Sequence, residues 1–154
     1  MNVEPSHRPP DEAVEQTHLP TNSSGKLHLT DWAIGVVDDD LEARDCAQAI
    51  EKEGLAALDI CVVPGPTALQ QFLTARQEKH EEQLLERVRD VVLDALKEAD
   101  PVRDDFESEA RAGHTFLGIH VPDTNQIDSY RNTLAEHQVH HMYLFEPTMI
   151  TRLM

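Results

Sequence analysis

The spacing of apolar residues changes period along the chain, and each change marks an element. Ala33-Ile34-Gly35-Val36-Val37 is a short, nearly continuous apolar run bounded by acids, which predicts a buried strand. Ala43, Cys46, Ala47 and Ile50 follow at i, i+3, i+4 and i+7, the stripe of an amphipathic helix over about 40–53 with Gly54 as its stop. Leu58 to Val63 predicts a second strand with Leu58, Ile60 and Val62 on one face, closed by Pro64-Gly65-Pro66. Leu69, Phe72 and Leu73 open a helix that turns charged and solvated from Thr74 to Gln83. Leu84, Leu85, Val88, Val91, Val92, Ala95 and Leu96 then predict an amphipathic helix over 84–99, stopped before Asp100-Pro101. A helical turn is expected from Asp104 to Ala112, with Gly113 ending it.

The remainder repeats the opening. Leu117, Ile119 and Val121 alternate in a strand from Thr115 to Val121, Ile127, Tyr130 and Leu134 mark a helix, and Met142 to Phe145 form a last strand. One offset of 84 residues aligns Asp39 with Asp123, Glu42 with Gln126, Ile50 with Leu134 and Ile60 with Leu144. Two such βαβ units predict an α/β (α+β) fold, a ferredoxin-like sandwich of strand order 4-1-3-2 with a helical insertion at about 64–113 between strands two and three. Right-handed crossovers put both repeat helices on one face. The other face would present Gly35, Val37, Cys61, Val63, Phe116, Gly118 and His120, with Tyr143 and Phe145 beside them. That set is too apolar for water, so the helix 84–99 or a second subunit must cover it. The charged stretch from Thr74 to Gln83 reads as an arm carrying that helix outward, which makes a homodimer the expected assembly.

Residues 1–28 hold Pro5, Pro9, Pro10 and Pro20, the run Thr21-Asn22-Ser23-Ser24-Gly25 and few large apolar side chains. They predict a disordered tail that folding can do without, leaving 29–154 as a single domain. With 29 acidic against 13 basic residues the formal charge is −16, the wrong sign for tracking nucleic-acid phosphates or an anionic membrane surface. No apolar run approaches the length of a membrane span, no export leader is evident, and two cysteines make no disulfide framework. A cytoplasmic location follows as the expectation.

Gly118-Ile119-His120-Val121-Pro122-Asp123 and the ending His140-His141-Met142-Tyr143-Leu144-Phe145, with Thr148 and Leu153, follow a strand, an acid-capped helix, a second strand and a helical insertion. In that order the chain over about 32–154 resembles small bacterial proteins of the general-stress type, which have a ferredoxin-like core and no established activity. The resemblance implies that fold and a role in bacterial stress or regulation. It carries over no catalytic residue.

Candidate chemistry is sparse. Val36-Val37-Asp38-Asp39-Asp40 resembles the acidic opening of a receiver domain, and a degenerate receiver-like signalling domain is one alternative. The repeat offers another account, since Asp39 with Glu42 and Asp123 with Gln126 each fit a helix capping box. His114, His120, His137, His140 and His141 crowd the last third and raise a metal site, for which Cys61, His120 and His141 are candidate ligands. In the order 4-1-3-2 Cys61 and His120 are cross-strand neighbours, whereas strand four stands about 9 to 10 Å from strand three, too far for one centre to gather His120 and His141 easily. Cys46 lies on an apolar stripe and reads as core. No Gly-rich phosphate loop, Gly-x-Ser-x-Gly elbow or CxxC is present, and no cofactor is expected. The resulting expectation is a noncatalytic binding or regulatory protein acting on a protein partner or small ligand, with Cys61, His120 and Tyr143 as candidate ligand-binding residues. Its rival is a small metal-dependent or thiol enzyme or sensor built on Cys61 and His120.

Overall fold

The computed structural model describes residues 16–85 and 100–154, the side chains of 78–85 and 100 excluded. In chain order the elements are β1 (Trp32–Val37), α1 (Asp40–Lys52), β2 (Ile60–Val63), α2 (Gly65–Leu85), α3 (Asp100–Arg111), β3 (Thr115–His120), α4 (Gln126–Glu136), β4 (His140–Phe145) and β5 (Ile150–Arg152). The fold is α+β, built on one five-stranded sheet of order β2-β3-β1-β4-β5 in which every strand pair is antiparallel. A receiver-like domain needs a parallel sheet, so that alternative does not fit these strands. The strand β5 has no counterpart in the sequence reading, because three residues are too few for alternation to register.

On one face, α1 and α4 lay the stripes Ala43, Cys46, Ala47, Ile50 and Ile127, Tyr130, Leu134 on Ala33, Val37, Ile60, Val62, Leu117 and Ile119. Asp39 is the N-cap of α1, and its Oδ1 accepts the Leu41 N–H at 3.2 Å. Glu42 does not reach back to complete a box; its carboxylate accepts from His137 Nδ1 at 2.5 Å. The entry to α4 differs again. Asp123 Oδ1 accepts the Asn125 N–H at 3.0 Å in a turn ahead of the helix, which starts only at Gln126, so Asp123 and Gln126 form no capping box.

The opposite face is covered from within the chain by α2 and α3. Ala68 and Phe72 from α2, and Phe106 and Ala110 from α3, pack on Trp32, Ile34, Val36, Cys61, Val63, Phe116 and Tyr143. Phe106 is the hub, with ring centroids 5.3 Å from Phe116 and 5.8 Å from both Phe72 and Tyr143. Arg76 Nη2 pairs with Asp104 and Glu107 at 2.7 and 2.8 Å, tying α2 to α3. The face expected to recruit a second subunit is therefore already occupied, and a dimer through it loses its premise. The cover also differs from the expected one: it comes from α2 and α3, while residues 86–99 of the predicted helix 84–99 lie outside the described residues.

Three boundaries move. The β1 pairs Ala33 with Ile119, Gly35 with Leu117 and Val37 with Thr115, so Gly35 and Val37 face α1 and α4 rather than the insertion. Leu58 belongs to a 3-10 turn over Ala57–Asp59, before β2, and is 63% exposed, not a strand residue facing the core. Of the expected tail 1–28, residues 16–28 are described, and they pack on the domain. Gln16 bridges to the edge of β2, its N–H donating to Ile60 O at 3.1 Å and its carbonyl accepting from Val62 N at 2.9 Å. Leu19 is 1% exposed in the second core, with Leu27 and Leu29 packed against it, and its backbone exchanges two hydrogen bonds with the Gln71 amide at 2.8 and 3.1 Å. A polar segment can dock this way because the sheet supplies the apolar surface and only a few leucines are needed.

Leu19→Ala should therefore cost about 2 to 5 kcal/mol in urea unfolding. Leu58→Ala, at an exposed position, should stay within about 0.5 kcal/mol. Equal losses for the two would return residues 16–28 to a dispensable tail.

Candidate metal centre

Five side chains meet where the C-terminal end of β1 adjoins the starts of β3 and β4, and three local backbone devices bring them there. The first is the end of α3. Gly113, at φ 86°, lets the chain reverse in a Schellman turn, with the His114 N–H donating to Glu109 O at 3.1 Å and the Gly113 N–H to Ala110 O at 3.0 Å. The turn folds His114 back over Glu109, and His114 Nδ1 donates to Glu109 Oε1 at 2.5 Å.

The second device is a β-bulge. Ile34 pairs with Tyr143 but Val36 pairs with His140, so two steps along β1 match three along β4. Within this bulge His141 adopts φ 48°, the left-handed region that a non-glycine residue enters only when its surroundings hold it there. Neighbours on a regular strand point to opposite faces. The bulge cancels that alternation, and the two imidazoles meet with centroids 5.0 Å apart and Nδ1 atoms 2.8 Å apart.

The third device is the exit of β1, which places Asp38 beside both histidine groups. His140 Nε2 donates to Asp38 Oδ1 at 2.7 Å, and His114 Nδ1 lies 3.5 Å from the same oxygen. Glu109 Oε2 lies 3.5 Å from His141 Nδ1 and closes a ring that runs Glu109, His114, Asp38, His140, His141 and back. The hydrogen bond from His140 holds the Asp38 carboxyl below its ordinary 3.8, against a smaller upward push from desolvation. The Glu109 side chain is 18% exposed and that of Asp38 is 71% exposed, so the ring has one sheltered wall and one open rim.

Ligand atoms of Glu109, His140 and His141 lie within 4.8 Å of one another, and so do those of Asp38, Glu109 and His114. Two imidazoles and a carboxylate form a set that suits zinc or ferrous iron and leaves coordination positions open. Because His140 gives its Nε2 proton to Asp38, its neutral form keeps the Nδ1 lone pair facing His141. This is the carboxylate and histidine arrangement that orients metal ligands.

The residues singled out from sequence divide. His141 belongs to the ring; Cys61, His120 and Tyr143 do not. His120 pairs with Trp32 and His140 with Val36 on β1, which separates the two histidines by roughly 13 Å along the strands. His120 Nδ1 donates to Asp59 Oδ1 at 3.2 Å, and its ring packs on Trp32 at 5.2 Å. Tyr143 donates its hydroxyl to Asp105 Oδ2 at 3.4 Å beneath the insertion. Cys61 is packed against Gly118 in the second core, and burial pushes its thiol up to about 12. His114 and His140, counted from sequence only among the crowded histidines, belong to the ring too; Asp38 entered the sequence reading only within the acidic run compared with a receiver domain, and Glu109 was not singled out. The available signals were Glu109 five residues before a histidine that follows glycine, and the doublet His140-His141 opening a strand.

Comparison of the chain with models of known protein families, with curated proteins and with solved structures gives no match.

Burial also pushes the Cys46 thiol up to about 12. Since the thiolate is the reactive form, neither cysteine should react with a disulfide reagent near neutral pH while the protein is folded, and both should react once it is denatured. Labelling of Cys61 in the folded protein at the rate of a free thiol would show that this core opens.

Proposed function

We propose that the protein binds a divalent transition-metal ion through Glu109, His140 and His141 and serves as a noncatalytic, metal-responsive regulatory protein. The observation that carries this reading is the pair of imidazole Nδ1 atoms held 2.8 Å apart beside Glu109 by a bulge with a left-handed His141. At most one proton can sit between two such nitrogens when both rings are neutral, and a cation satisfies both lone pairs together with the carboxylate. Strain concentrated at a cluster of ligand-type side chains points the same way.

The strand order β4-β1-β3-β2, with α1 and α4 on one face, supports a ferredoxin-like sandwich to which the chain adds a second helical layer and β5. The resemblance of 32–154 to bacterial general-stress-type proteins fits a regulatory role of this kind in a reducing cytoplasm, where both cysteines remain thiols. Among the described residues no helix is long and apolar enough to cross a membrane. The thiol-based rival loses support from the burial of Cys61 and its separation from any activating base in the ring.

Calorimetric titration of the full chain, prepared without a histidine tag, tests the reading with Zn(II). Wild type should bind, and at a free concentration of 100 Kd the ion should stabilise the fold by about 2.7 kcal/mol. Asp38→Asn should weaken binding about 10- to 100-fold through loss of the His140 orienter. The double change His140→Ala and His141→Ala should abolish the stabilisation, and an unchanged affinity in that variant would end this proposal.

A further inference from the structure

The ring divides into two halves that one ion cannot serve. His140 points Nδ1 at His141 and Nε2 at Asp38, and the lone-pair directions of the two nitrogens in one imidazole diverge. Glu109 divides in the same way, with Oε2 on the His141 side and Oε1 on the His114 side. Its carboxylate is therefore shared between two ligand triads, Glu109 with His140 and His141, and Glu109 with Asp38 and His114.

We infer that the centre is dinuclear, with Glu109 bridging two divalent ions and Asp38 and His114 holding the second. This rests on the reading of Glu109, His140 and His141 as an ion site and adds the second ion. Bridging suits Glu109 because it is the most sheltered carboxylate of the ring and presents one oxygen to each half. The second triad is softer in geometry. Asp38 sits on the exposed rim and keeps lone pairs free after accepting from His140, while His114 must give up the proton now shared with Glu109. The first ion is thus bound more tightly and the second fills the mixed carboxylate and imidazole half. Carboxylate-bridged ions stand about 3.5 to 4 Å apart, close enough for their electron spins to couple.

Co(II) titration of the full chain, followed by metal content and by electron paramagnetic resonance, tests the inference. Two ions per chain with spin coupling at saturation are expected in wild type. His114→Ala should keep one ion at wild-type affinity and lose the coupling, whereas Asp38→Ala on the exposed rim should lose the coupling and, without the His140 orienter, also bind its one remaining ion about 10- to 100-fold more weakly. Loss of coupling in both variants guards against a folding defect in either. One ion in wild type, unaffected by His114→Ala, would overturn the bridge and leave the mononuclear reading standing. Two uncoupled ions would place the second elsewhere and also overturn it. No bound Co(II) at all would remove both readings together.

Discussion

Burial of β1 along its whole length, from Trp32 to Val37, obliges the chain to supply apolar cover on both sides of the sheet. The repeat helices α1 and α4 meet one side. The other side needs material from outside the two βαβ units, and α2, α3 and residues 16–29 provide it around Phe72, Phe106 and Leu19. The layers pack so closely that Gly118 has no room for a side chain. A Cβ there would stand 2.6 Å from Cys61 Sγ and 2.7 Å from Ile34 Cδ1, within the row that crosses the sheet under the insertion.

The site is a consequence of that cover. With Phe106 and Ala110 turned down onto the sheet at i and i+4, α3 brings Glu109, one turn after Phe106, to the end of the sheet where β1 leaves and β3 and β4 begin. The Schellman turn that ends the helix returns the chain to β3 and carries His114 across the Glu109 carboxylate. A helical layer needed for packing thus delivers a carboxylate to a strand end already occupied by histidines.

Histidine and carboxylate pairs recur on this acidic chain, at His120 with Asp59 and at His137 with Glu42. Each is a partly exposed pair, and such pairs contribute little to stability. The ring differs because five groups close on one another, each touching a neighbour on both sides, and Glu109 and His140 do so through two different atoms. Convergence, rather than the number of histidines, distinguishes a ligand set from a charged surface.

Much of the fold was legible in the chain because its causes are local. The stripe Ala43, Cys46, Ala47 and Ile50 has the period of a helix, Leu117 and Ile119 have the period of a strand, and the 84-residue offset exposed the repeat that orders β1 to β4. The facing of β1 was not legible, since six buried residues in succession carry no alternation and only the register with Leu117 and Ile119 decides which side Val37 occupies. The docking of Leu19 was hidden for a related reason: the segment is polar in composition, and the surface it needs belongs to α2 and the sheet. The ring lay furthest from reach. Glu109 sits in a helix rich in acids, where a carboxylate reads as solvated surface, and His140 and His141, counted among the clustered histidines, would face apart on a regular strand. Local period set the elements and Gly113 the reversal that ends α3, whereas the bulge that holds His141 left-handed, and the meeting of β1, α3 and β4 that brings the five side chains together, depend on contacts between segments remote in sequence.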